Sequence, residues 1–219
     1  MMKRLATLLS VWLPFLGGAE AQDVAPSFDR GQTIVEIRML VWSGFETPNS
    51  VAETIEDEYL DPDDLTPGGR DWLSGEIERQ FKAKRAEEAG WPRSTDWDLL
   101  EAAFSDLNAS GIVALHYAGT TQSDGLSDAA EIYDDLKAQG LDPSGFAFYH
   151  AQDVDTAIET HELFIAFGTF AEAQSDAPAI ASRIIAALGK HGLHATWSGD
   201  PRTRIVIRPM DWRKRSPRD

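Results

Sequence analysis

Residues 111–128 read GIVALHYAGTTQSDGLSD, and the fold turns on them. Positions 112–117 are a short apolar run rich in branched and aromatic side chains, the composition of a strand buried on both faces. Positions 119–125 add two glycines, three hydroxyls, an amide and a carboxylate, which is loop chemistry. Ser127 then reads as the N-cap of a helix over 127–139 that packs through Ile132, Tyr133 and Leu136 and stops at Gly140. A strand that ends in a polar loop and feeds a helix is where α/β proteins tend to place ligands.

Downstream the alternation continues. Residues 142–145 make a turn and 146–150 a second strand; Asp153 caps a short helix using Val154, Ala157 and Ile158. Residues 163–167 form a third strand, and Asp176 caps a helix on Ile180, Ile184 and Leu188. Residues 193–198 and 203–208 alternate like a hairpin across Gly199-Asp200-Pro201. Thr203, Ile205 and Ile207 share one face of that last strand, with Arg204, Val206 and Arg208 on the other. Strands separated by helices favour parallel neighbours at the start, and the final pair is antiparallel, so a mixed five-stranded sheet is expected.

Upstream the period is helical. Ile34, Ile37, Leu40 and Val41 share a face that Gly44 ends, and Thr47-Pro48 and Thr66-Pro67 each open a further helix. Leu73, Ile77 and Phe81 stripe the third helix, and Thr95 with Asp98 opens a fourth on Leu100, Ala103, Phe104 and Leu107. Trp72, Trp91 and Trp97 read as packing anchors between these helices. The expected fold class is α+β: a helical N-terminal half over 33–110, then a mixed five-stranded sheet with flanking helices over 111–213. Residues 214–219 read as a solvated basic tail.

The amino terminus has a different character. Lys3 and Arg4 precede an apolar run over 5–16, and Ala19 and Ala21 make the small-residue exit of a secretory signal peptide. Cleavage after Ala21 gives a periplasmic or secreted protein with no stable membrane span; the alternative is an amphipathic leader on a cytoplasmic protein. Residues 22–32 read as a linker.

Asp and Glu number 36 against 20 Lys and Arg, for a formal charge of −16, so nucleic acid is not an expected partner. The chain has no cysteine, which excludes disulfides, thiolate metal sites and a cysteine nucleophile.

Four pieces stand out together: AGTTQSDG at 118–125, FYHAQD at 148–153, LFIAFG at 163–168 and WSGDPRTRI at 197–205. With LVWSGF at 40–45 and DWR at 211–213, they make the chain resemble a bacterial family grouped as a domain of unknown function, DUF6891. The resemblance runs from about residue 33 to residue 213, and the leader is an addition to the family pattern. It implies the domain layout and singles out the polar pieces; it implies no activity.

If the first two strands are parallel, His116 and His150 lie near matching ends, and Gln122, Ser123, Asp124, Gln152 and Asp153 follow them in the loops. These seven are the candidate ligand-binding residues. One reading gathers His116, His150, Asp124 and Asp153 around a divalent metal in a hydrolase, although no recognised metal spacing is present. A second makes Ser123 a nucleophile with His150 as base and Asp153 as orienting acid, but Thr121 stands where a nucleophile elbow needs glycine. The preferred reading is non-catalytic. Asp124 tightens a turn, Asp153 caps a helix, and the mouth binds a small molecule or a protein segment with no cofactor or metal.

Overall fold

The computed structural model describes residues 28–170 and 176–217; the leader and residues 22–27 of the expected linker lie outside them. Helix α1 (Arg30–Ser43) begins inside the stretch read as linker, because the Asp29 carboxylate accepts the N–H groups of Gly31 and Gln32 at 2.8 and 3.2 Å. It ends at Gly44, whose φ of 82° is left-handed. Helix α2 (Pro48–Thr54) runs on into a π-helical turn over Ile55–Tyr59, and α3 (Pro67–Glu88) follows a short 3-10 turn. Both Thr-Pro starts are present as expected, with Thr47 and Thr66 as N-caps. Ile37, Val41, Val51, Ile55, Leu73, Ile77 and Phe81 bury together and make these helices one apolar unit.

Helix α4 (Asp96–Ala109) opens on the Thr95–Asp98 capping box. Its face of Leu100, Ala103, Phe104 and Leu107 packs against the sheet and not against the preceding helices. The strands are β1 (Ile112–Leu115), β2 (Gly145–Phe148), β3 (Leu163–Thr169), β4 (Ala195–Thr196) and β5 (Ile205–Ile207). Their order across the sheet is β1-β2-β3-β5-β4. Strands β1 and β2 pair parallel; every other pair is antiparallel, so the mixed five-stranded sheet is as expected. Helix α5 (Gln122–Ala138) crosses between β1 and β2, α6 (Ala151–Thr160) joins β2 to β3, and α7 (Ala177–Lys190) packs with α4 over the main core.

Four boundaries near the strand exits differ from the sequence reading. Strands β1 and β2 stop at Leu115 and Phe148, before either histidine. Helix α5 starts at Gln122, capped by Thr121 and not by Ser127, so residues 122–125 of the supposed loop are its first turn, while 119–121 are loop as expected. Helix α6 starts at Ala151 with His150 as its N-cap residue; Asp153 lies in the first turn and caps backwards. The outer edge of β1 is covered locally: the Asn108 carboxamide accepts the Ala114 N–H at 2.8 Å and donates to the Ala114 carbonyl at 3.0 Å.

Residues 214–217 of the expected tail are half-buried against the fold; 218–219 lie outside the described residues. Met210 and Trp212 are buried in the main core, and the Trp212 indole donates to the Ser43 carbonyl at 3.0 Å. Lys214 lies over the rings of Trp97 and Phe45, Arg215 donates to the Pro92 carbonyl, and Ser216 donates twice to Glu88. Residues 210–216 therefore strap the helical unit onto the sheet unit.

Candidate functional site

The parallel pairing sends the exits of β1 and β2 to the same rim of the sheet. The two exits knit together beyond the strands: Ala118 N–H donates to the Tyr149 carbonyl at 2.9 Å, and Ala151 N–H to the Gly119 carbonyl at 3.1 Å. Gly119 is required here twice over, since its φ is 61° and an added Cβ would sit 2.2 Å from that of Asp124. Tyr117 also adopts a left-handed φ, 54°, which a bulky side chain takes only where the surroundings impose it. Its ring stacks on Phe45 at 4.3 Å, which ties the rim to the end of α1.

His116 and His150 do not meet. In the β1–β2 register Leu115 faces Phe148, so the next pair is His116 with Tyr149, and His150 is one residue out of phase. His116 accordingly stacks on Phe104 at 4.6 Å and shares a 2.8 Å hydrogen bond between Nδ1 and the Tyr149 hydroxyl. Burial, helped by the Lys214 charge, pushes its pKa down to about 4.

His150 belongs to an ionic cluster. Its Nε2 lies 3.2 Å from Asp153 Oδ2, and its backbone N–H donates to that oxygen at 3.1 Å. Arg204, reaching over from the start of β5, donates through Nη1 to Asp153 Oδ1 at 2.6 Å. Asp153 and His150 are 2% and 4% exposed, so burial pushes the carboxyl up and the imidazole down, against the pull of Arg204 on the first. Asp124 is exposed and accepts the N–H groups of Thr120 and Thr121 with the Thr121 hydroxyl; those bonds hold its pKa below the usual range. Its charge is felt by His150 without a hydrogen bond between them.

The remaining candidates separate. Ser123 is exposed on the first turn of α5 and makes no bond to His150; its carbonyl accepts from Ser127. Gln122 faces a groove shared with Arg204, whereas Gln152 lines a different cavity. The serine-triad reading thus has its His150–Asp153 pair without a nucleophile on it. The metal reading loses His116 to the opposite face, and among the described residues no three His, Cys, Asp or Glu side chains stand together as ligands.

A cavity at Gln152 opens on the rim. It has a volume of about 400 Å³ and lies between α1, the π-turn and the two strand exits. Glu36, Glu46, Glu58 and Asp155 line it beside Tyr59 and Tyr117, and no Lys or Arg does. None of the four carboxylates forms an ion pair among the described residues. Burial, with Glu159 and Glu36 nearby, pushes Asp155 up to about 6. The π-turn brings Glu58 and Tyr59 to the cavity within one extra-wide turn, a feature common at functional sites.

Sequence reasoning missed this cavity because its acids lie on α1, the loop before α2, the π-turn and α6, up to 119 positions apart, as from Glu36 to Asp155. It also missed Arg204 as the partner of Asp153, although the alternation of 203–208 had already put Arg204 on the outer face.

With this geometry in place, the sequence profile of the domain of unknown function DUF6891 matches residues 29–216. The chain belongs to that family. The match covers α1 through the strap, so both the helical unit and the sheet unit are parts of the DUF6891 domain. No curated protein and no solved structure matches the chain.

Proposed function

We propose that this DUF6891 chain is a non-enzymatic binding module whose rim cavity takes a small organic cation, a ligand bearing one or more ammonium groups. The carrying observation is the lining: four carboxylates without a compensating cation, around about 400 Å³. Like charges held together cost free energy in the empty site, and a bound cation relieves that cost. Tyr59 and Tyr117 add ring faces on which an ammonium is favoured by about 0.5–2 kcal/mol. The volume suits a small ligand, and it is walled by one edge of the helical unit and one edge of the sheet unit.

Calorimetric titration with putrescine and benzylamine tests the reading. Binding is expected for both, with Glu36→Gln and Glu58→Gln each weakening putrescine more than benzylamine. Affinity is expected to rise with pH through about 6, as Asp155 ionises, and Asp155→Asn should remove that rise. Amines that ignore all three substitutions would overturn the proposal. We place the module outside the cytoplasm, on the leader pattern of residues 1–21; amino-terminal sequencing that finds Met1 or Met2 intact would move it inside.

A further inference from the structure

On the other side of the His150–Asp153 pair lies a groove of about 650 Å³, lined by Gln122, Phe164, Trp197, Arg202, Arg204 and Val206 among others. No Asp or Glu lines it, which is notable in a chain of net charge −16. Its polarity is the reverse of the rim cavity.

Arg204 is held there by Asp153 and Phe164, with the His150 Nε2 3.5 Å from its Nη1. Its Nη1 is spent on the buried Asp153, 2.6 Å away, and its guanidinium carbon rests 4.9 Å from the centre of the Phe164 ring. Nε and Nη2 meet no hydrogen-bond partner among the described residues. Those two nitrogens form the edge that grips a carboxylate with two parallel bonds. The protein displays the same grip two residues away: Arg202 holds Asp200 through Nε and Nη2 at 3.1 and 2.8 Å. Arg204 is thus a guanidinium with its orientation fixed and its two-donor edge unspent. Beside it, Phe164, Trp197 and Val206 supply a flat apolar wall, and Gln122 adds an exposed amide.

We propose that this groove is a second binding site, for a small organic carboxylate with a flat apolar body. The carboxylate pairs with the Nε/Nη2 edge of Arg204, and the body lies against Phe164, Val206 and Trp197. A carboxylate fits better than a phosphate ester. Only one fork is open, Arg202 being committed to Asp200, and the nearby Asp124 and Asp153 charges oppose a dianion.

The test uses the full chain and 2-naphthoate, with 2-naphthamide as the neutral analogue and 2-naphthyl phosphate as the dianion, followed by calorimetry and by the Trp197 indole N–H signal. Naphthoate is expected to bind and shift that signal, and naphthamide to bind at least about tenfold more weakly. Arg204→Lys retains a cation for Asp153 but has no fork, so it should lose about tenfold in naphthoate affinity. Val206→Glu keeps Arg204 and Asp153 in the chain but sets a competing carboxylate two residues away on the same strand face, so it should abolish naphthoate binding, and it guards against an Arg204 variant that fails to fold. Benzylamine binding at the rim cavity should be unchanged in both variants, so either site can fail without the other. Naphthamide binding as well as naphthoate, unaltered affinity in Arg204→Lys or Val206→Glu, or tighter binding of the phosphate would each overturn the proposal.

Discussion

At the exit of β1, Thr121 and Asp124 close a capping box over the first turn of α5; at the exit of β2, Asp153 makes the same backward bond to the His150 N–H over α6, without a return bond to the His150 side chain. In both, the third-position aspartate turns back to accept the N–H of the N-cap residue, at 2.8 and 3.1 Å. That backward bond is the same, and the outcomes diverge because of burial. Asp124 faces water, its capping bonds are almost the whole of its environment, and its carboxyl is pulled down. Asp153 is 2% exposed, and burial outweighs the same capping bond together with Arg204, so its carboxyl is pushed up. One motif thus serves as a plain helix start at one exit and as the anchor of a charged side chain at the other.

The comparison breaks most visibly under deletion. Asp153→Ala removes the carboxylate that, among the described residues, pairs with both His150 and Arg204, and should cost about 3 kcal/mol, at the low end for a broken buried pair because Arg204 keeps 32% of its side chain exposed. Asp124→Ala should lower the urea midpoint far less. Equal midpoints for the two variants would mean that burial does not separate the exits.

Acidification sharpens it. His116, beside the β1 exit, has a folded pKa of about 4, below the ordinary histidine value near 6.5. The unfolded chain therefore takes up the proton first, and stability contributed by the neutral ring is lost as pH falls from about 6.5 to 4, by about 3 kcal/mol. Unfolding of His116→Gln should show a shallower loss over that window. Carboxyl NMR should meanwhile find Asp124 titrating below the usual aspartate value and Asp153 above it. Stability from Asp124 is lost as pH falls through its lowered pKa. Asp153 acts with the opposite sign, because between the ordinary and the raised value the folded state holds the proton more tightly.

The next position of each helix extends the comparison. Val154 fills the space after Asp153, whereas Gly125 follows Asp124, and a Cβ there would lie 2.3 Å from Cε2 of the buried Phe148. Gly125→Ala gains helix propensity and still should destabilise by about 1–3 kcal/mol, because Phe148 has no room to yield. A stabilised variant would show that α5 rides loosely on β2.

Much of this was legible in the residues themselves. The parallel first pair followed from strands separated by a helical pattern, and the outward face of Arg204 and Val206 followed from strict alternation at 203–208. The separation of His116 from His150 was not legible, because a pairing register is set by packing, and a shift of one residue moves a side chain to the other face. The docked tail was hidden for a related reason. Trp212 and Lys214 find their partners at Ser43, Phe45 and Trp97, more than a hundred positions away, and composition alone says only that the tail is basic. The rim acids share that difficulty, being scattered over four segments that only the fold assembles.

The smallest effect concerns where α5 begins. Residues 119–125 look like a loop because two glycines bracket three hydroxyls, yet Thr121 and Asp124 already stand at capping-box spacing. The first glycine sits in the short loop and permits its left-handed turn into the helix, whereas the second is already helical and makes room for Phe148, so only the first reports a loop. Thr121→Ala removes a hydroxyl that pairs with both the N–H and the carboxylate of Asp124, and should cost about 1 kcal/mol. Ser127→Ala, at the start expected from composition, removes only a bond to the Ser123 carbonyl and should stay within about 0.5 kcal/mol. The reverse ranking in thermal melts would put the helix start back at residue 127, dissolve the matching backward bonds, and leave the two exits with nothing in common but their direction.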